Sequence, residues 1–354
     1  MNGIMQSIVS SQALAWVVAL LALPVFAGAA RAGDFMVYEG KTGPGVGKHI
    51  VFLSGDEEYR SEEGLPMLAK ILAVRHGFKC TVLFAVDKDG IINPKLGNSL
   101  PGAEALDSAD AIVMLLRFRS YPDDVMKHFE DAFLAGKPII ALRTSTHAFN
   151  GLKGAYSKYN WGSGEKDWKG GFGKRVLGET WVNHWGAHKS EATHGLIVPE
   201  SKDDPILRGV ADLFADSDVY EAHPPEDVKV LVRGQVLKGM KPTDPPVEGK
   251  KNDQMQPIVW TRLFKNESGK ENKILCTTMG AATDLQNEGL RRLIVNAVYW
   301  GVGIDVPAAA DVTYVDEYKP LFYGFDGYRV GLKPSDHEIG KVVPTLPLAN
   351  EKKK

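Results

Sequence analysis

Three short runs of unbroken apolar residues, each running into a polar turn, constrain this chain more than any other feature. They are His49–Ser54 (HIVFLS), Ala111–Leu116 (AIVMLL) and Pro138–Leu142 (PIIAL). A strand with one face in water alternates apolar and polar residues, so an unbroken run indicates a strand covered on both faces. Helical spacing intervenes. Leu65, Leu68, Ala69, Leu72 and Ala73 recur on one face of Gly64–Arg75, which Gly77 stops, and a second amphipathic stretch runs from Pro122 to Leu134. With a further strand at Phe78–Val86, the alternation predicts an α/β fold with a parallel sheet. Beyond residue 150 strand-like runs recur at 195–198, 228–236, 257–261 and 273–278, and Leu290–Trp300 reads as a closing helix. No linker interrupts 48–303, which reads as one domain. Residues 33–47 read as an irregular, Gly-rich lead-in, and 304–354 as an extension ending in a loose polar tail.

The first 32 residues resemble an export signal. Ala13–Ala30 is apolar or small and uncharged, and Ala30-Arg31-Ala32 offers a small-x-small cleavage site, which would leave Gly33 first in a secreted or periplasmic protein. An uncleaved anchor is the rival reading, although the run is just short of the roughly 20 residues a spanning helix needs. After cleavage no membrane contact is expected. The formal net charge is −2, with no basic block to neutralise phosphates, which argues against a nucleic-acid partner. Cys80 and Cys276 both lie in strand-like runs and read as buried free thiols.

In open α/β sheets ligands bind beyond the carboxyl ends of the strands. Those ends carry Asp56, Glu57, Glu58, Tyr59 and Arg60 after the first run, Arg117 and Arg119 after the third strand, and Arg143 to His147 after Pro138–Leu142. The arginine forks suit a carboxylate, a phosphate or a row of hydroxyls, and the acids suit hydroxyl protons or general-base work. The same groups could equally neutralise one another in a structural network. Residues 147–188 hold four of the seven tryptophans among many glycines. Such rings either stack on sugar faces or form a satellite core beneath a long loop. His184 and His188 are spaced for one metal on a helix, but Gly186 lies between them and no third ligand is evident nearby, so no metal or other cofactor is expected. His147 and His184 read instead as proton-transfer or hydrogen-bonding groups. Ser145 and His147, two residues apart on one turn, cannot readily align as nucleophile and base.

These segments resemble the ThuA-like (trehalose utilisation) family. HIVFLSGDEEYR is similar to its opening strand and turn, PIIALRTSTHAF to its strand-to-turn segment, VLGETWVNHWG to the element that maps His184, and SDVYEA to the acidic-Tyr element that maps Tyr220 and Glu221. PIVWTRLF, KILCTTMG and LIVNAVYWGVG resemble its C-terminal signature, so the match covers roughly 48–303. The resemblance implies a flavodoxin-like three-layer αβα sandwich with a mostly parallel central sheet, as in class I glutamine amidotransferases. Arg143 stands where an amidotransferase has its cysteine, and Met279-Gly280-Ala281 where its histidine would follow. A thiolate and its base are both absent, so cysteine-based acyl transfer is excluded. Many ThuA-like proteins keep Gly-His at that second position, and often a histidine at Ser61.

The family implies action on a carbohydrate, a sugar or keto-sugar, by hydrolysis, isomerisation or elimination. Glu58 or His147 would move the proton, and Arg143 and His184 would polarise or hold an oxygen. Asp56, Tyr59, Arg60, Arg117, Arg119, Trp181 and Tyr220 would bind substrate. A non-catalytic sugar-binding protein on the same fold is the alternative, and homo-oligomerisation is left open.

Overall fold

A computed structural model describes Met1 and residues 33–351, so the predicted export segment lies outside the described residues. In chain order the elements are β1 (Phe35–Tyr38), β2 (His49–Gly55), α1 (Ser61–His76), β3 (Lys79–Phe84), β4 (Ala111–Leu116), α2 (Asp123–Leu134), β5 (Ile139–Leu142), β6 (Thr193–Ile197), β7 (Phe214–Ala215), β8 (Val228–Val236), α3 (Lys250–Asp253), β9 (Gln256–Lys265), β10 (Glu271–Thr277) and α4 (Glu288–Val302). The apolar runs become the strands they predict. All of β2, β4 and β5 is buried. The reason is visible in the alternation of faces. Ile50, Phe52, Val113 and Leu115 pack with α1 and α4, whereas Val51, Leu53, Ile112 and Met114 pack with α2 and the aromatic loop.

Among the described residues, ten strands join one sheet in the order β1-β3-β2-β4-β5-β10-β9-β8-β6-β7. The expectation of a mostly parallel sheet holds only at its centre. β3, β2, β4, β5 and β10 are parallel, while β1 and the wing β9-β8-β6-β7 pair antiparallel. One connection in the wing is short: β9 and β10 are separated by a single turn, which can join only antiparallel neighbours. The lead-in is likewise not wholly irregular, because β1 registers against β3 from Phe35↔Leu83 to Tyr38↔Cys80. Cys80 and Cys276 are buried free thiols, as expected.

The C-terminal segment is the largest departure. It does not hang free but packs over α1, which explains why nearly every residue of that helix is buried, charged ones included. Lys70 donates to Asp316 at 2.6 Å, Glu63 accepts from Leu321 N–H at 2.8 Å and pairs with Arg329, and Leu332 and His337 are buried. A cavity of about 460 Å³ lies between α1 and residues 315–351, away from the strand ends. Among the described residues, no helix is long and apolar enough to cross a membrane.

Candidate functional site

At each of the turns that follow β2, β4 and β5, one non-glycine residue sits in the left-handed region: Arg60 (φ 58), Phe118 (φ 49) and Arg143 (φ 43). Such conformations cost roughly 1–3 kcal/mol each and persist where surrounding contacts fix them. Here the fixing contacts run between turns. Thr144 donates to Asp56, Arg117 donates to Glu57, and Phe118 N–H donates to the His147 carbonyl at 3.0 Å. The three clusters singled out in the sequence therefore gather at one edge of the sheet. The aromatic loop closes on them at Gly173, where a Cβ would collide with the Thr146 carbonyl.

Much of this assembly is framework. Asp56 is sealed and accepts from the N–H groups of Glu58 (2.6 Å) and Tyr59 (2.5 Å), and burial followed by the charge of Glu57 pushes its carboxyl up to about 6. Arg60 donates to the carbonyls of Glu57 and Gly324, and Arg119 to those of Arg117, Pro94 and Leu96. These three do not face a ligand, contrary to the sequence expectation: Asp56 is taken up by N–H groups and Thr144, and the two arginine forks by backbone carbonyls and, for Arg119, also by the Glu57 carboxylate at 2.5 Å. Tyr59 and Tyr220 are also buried, flanking Arg143 with its guanidinium carbon 4.7 and 3.7 Å from their ring centroids. Ser145 is buried too, its hydroxyl donating to Met114 O at 2.9 Å and accepting from Leu116 N–H at 3.2 Å, so it is no nucleophile.

The centre of the site is a group the sequence did not single out. Asp218, fully buried, accepts from Arg143 at 2.8 Å, and Arg143 also donates to the carbonyls of Asp218 (2.5 Å) and Thr278 (2.7 Å). Arg143 has no exposed surface, so it acts through Asp218 as a positioning residue and does not touch a ligand. The two oxygens of Asp218 each meet a histidine: Oδ2 lies 2.6 Å from His184 Nδ1 and Oδ1 lies 2.9 Å from His188 Nδ1. His188 Nε2 lies 3.2 Å from Glu58 Oε1. Burial alone would raise the Asp218 carboxyl, but Arg143 and the two histidine hydrogen bonds outweigh it and hold the group well below the usual carboxylate range. His184, His188 and Asp218 thus offer three ligand atoms within 4.8 Å of one another. The third candidate ligand atom, which the sequence reading did not find, comes from a loop 30 residues away.

Around this centre lie the groups that reach solvent. The side chains of His184 and His188 are 35% and 27% exposed, and that of Arg117 is 21% exposed between the rings of Phe118 and Phe325. Trp181 stands 5.7 Å from His184 and 5.8 Å from His147, and Trp161 continues the row at 6.4 Å from Trp181. His147 is buried under Phe118, and burial, then the charges of Arg117 and Arg143, push its imidazole well below its ordinary value, so it is neutral. The two readings of the aromatic segment divide between residues. Phe149, Tyr159, Trp168 and Phe172 join the core with Phe129 and Phe133, while Trp161 and Trp181 flank the site. The C-terminal segment adds Tyr323, which the sequence reading left out, packed 5.1 Å from Tyr59 and 5.6 Å from His188.

No family model and no curated protein matches the sequence. Solved structures do. One is a provisionally named ThuA-like protein from Parabacteroides merdae (13% identity, TM-score 0.46, 78% of this chain and 97% of that one), and another is its counterpart from Bacteroides uniformis (15%, 0.43, 75% and 94%). PurLQS from Thermotoga maritima aligns at 10% identity and TM-score 0.38, over 72% of this chain and 98% of that one. The chain is similar to ThuA-like proteins.

Below the site, half-buried Asp216 and fully buried Asp284 form a carboxyl pair. Asp216 accepts from Thr283 Oγ1 at 2.7 Å, and burial, then neighbouring Asp284, raise its carboxyl from 3.8 to about 8. A carboxyl raised on folding binds more protons in the folded state between those values. Its contribution is therefore full below the lower one and is lost as pH rises through the upper. Asp216→Asn, which removes the charge and keeps the shape, should gain on the order of 1–3 kcal/mol relative to the parent at pH 8 and nothing near pH 4. Urea unfolding at both pH values measures this, and parallel profiles for the two proteins would refute it.

Proposed function

We propose that this chain is an exported member of the ThuA-like family, with a flavodoxin-like αβα core, that binds a sugar or keto-sugar and moves a proton on it. For the core, the support is the central order β3-β2-β4-β5-β10, which is the 2-1-3-4-5 order of doubly wound sheets, with the site at the carboxyl ends of those strands. For the ligand, the observation that carries the reading is two partly exposed histidines, pinned to one buried carboxylate, beside the half-buried ring of Trp181 and the exposed ring of Trp161. Rings take the apolar face of a sugar, and the pinned His184 imidazole meets its oxygens.

Hydrolysis, isomerisation and elimination each require a proton to move. Glu58, paired with His188, is the group placed to accept and return it, and His184 holds the oxygen on which charge develops. His147, kept neutral, serves as a hydrogen-bonding partner. A second reading, sugar binding without turnover, draws on the burial of Arg143, Tyr59 and Tyr220, which leaves few polar groups in reach of a ligand.

Incubation with disaccharides and their 3-keto forms, followed by mass spectrometry, tests the proposal. Turnover should fall about 100- to 10,000-fold in His184→Ala, and Trp181→Ala should weaken binding by about 0.5–1.5 kcal/mol. Binding without products leaves the second reading, and no binding of any sugar ends both. Export is tested separately by N-terminal sequencing of the secreted protein, which should begin at Gly33.

A further inference from the structure

The loop that carries His184 and His188 is not helical, so the four-residue spacing alone would not align their rings. Alignment comes from the return strand of chain opposite. His184 forms a backbone bridge with Tyr220, and the N–H groups of Trp185 and Gly186 both donate to Val219 O, at 2.8 and 3.0 Å. Gly186 lets the loop wrap tightly, since a Cβ there would lie 3.3 Å from Asp218 Cβ. Loop 183–188 therefore folds around 218–220, and both Nδ1 atoms converge on the Asp218 carboxylate.

We propose that His184, His188 and Asp218 form a binding site for a divalent first-row transition metal, with a further coordination position open toward the tryptophans. Two imidazoles and one carboxylate suit zinc, iron or nickel rather than calcium or magnesium. Three protein ligands with an open position is the arrangement of reactive metal centres, as opposed to closed structural ones.

An independent observation is the shell behind the ligands. A metal-bound histidine ordinarily donates its other ring N–H to a carboxylate, and a ligating carboxylate is itself hydrogen-bonded. Here His188 Nε2 faces Glu58 at 3.2 Å, and Arg143 holds Asp218 Oδ1 at 2.8 Å. The gaps also fit. Tetrahedral zinc with bonds of about 2.0–2.1 Å separates its ligand atoms by about 3.3 Å. The two Nδ1 atoms lie 2.6 and 2.9 Å from the two Asp218 oxygens, and the three candidate ligand atoms lie within 4.8 Å of one another, distances that bracket that spacing.

The inference deepens the carbohydrate reading and rests on it only for what the metal would polarise. The test uses the full chain, purified without a polyhistidine tag or chelator, dialysed against micromolar zinc and analysed for metal. About one zinc per chain is expected, with cobalt substitution giving the visible bands of a tetrahedral site. His184→Ala and His188→Ala should each lose the metal, and Glu58→Gln should weaken binding about 10- to 100-fold. His223→Ala, at an exposed histidine off the site, should keep it. Both ring variants leave the Arg143–Asp218 pair in place, and thermal unfolding in chelator should show them as folded as the parent. Sub-stoichiometric zinc in the parent, or full zinc in both histidine variants, overturns the site. Stoichiometric zinc with no sugar bound overturns only the carbohydrate reading, and sugar turnover by protein shown to be metal-free overturns only the polarising role.

Discussion

Arg143→Met should unfold about 3–5 kcal/mol more easily than the parent, as measured by urea denaturation. The substitution keeps the length of the side chain but removes every hydrogen bond it makes. Two backbone carbonyls, the Tyr59 hydroxyl at 3.1 Å and one oxygen of Asp218 lose the guanidinium donor, in a place sealed from solvent. The larger part of the cost is the Asp218 carboxylate, which stays buried with its strongest counter-charge gone. Arg143→Lys should recover little, since one ammonium cannot reach donors' partners spread over Asp218, Thr278 and Tyr59. The double variant Arg143→Met/Asp218→Asn should be less destabilised than the sum of the two single ones, because the stranded charge is then absent. A loss below about 1 kcal/mol for Arg143→Met would show that this guanidinium is not the anchor of the site.

Ending the chain after Pro320 should cost more than about 5 kcal/mol, a large part of the 5–15 kcal/mol that typically separates folded from unfolded chains. The truncation strips Gly324 O from Arg60 and Arg329 and the Leu321 N–H from Glu63, leaving charges buried along α1 without partners. It also removes the buried rings and side chains of Tyr323 and Leu332, each worth about 1.5–3 kcal/mol of burial. The site itself changes, because Gly324 N–H holds the Glu58 carbonyl at 2.8 Å and Tyr323 packs on His188. Loss of soluble protein, or a much lower unfolding midpoint together with lost ligand binding, is the expected outcome. A truncated chain that melts within about 2 °C of the parent would mean that the segment contributes nothing.

The sequence by itself determined the central strands, the helices around them and the edge of the sheet where the polar turns gather. Each of these is a local property. An unbroken apolar run such as Ala111–Leu116 has few ways to bury both its faces, and Gly77 ends α1 through its own positive φ of 81. β1 escaped because four residues, Phe35–Tyr38, mark a strand only once β3 lies beside them. The C-terminal segment escaped because a polar, proline-containing stretch looks solvated until Glu63, Lys70 and Arg60 are seen to need it as a partner.

What only the tertiary structure decided is which polar groups are framework and which face a ligand. Arg60, Arg119 and Arg143 are alike in sequence to Arg117, yet three are sealed and one is not, because side-chain direction at a turn depends on the backbone oxygens opposite it. Asp218 meets His184 and His188 across 34 and 30 residues of chain. Such a meeting is set by the closing of two loops over the sheet edge, and no spacing along the sequence encodes it.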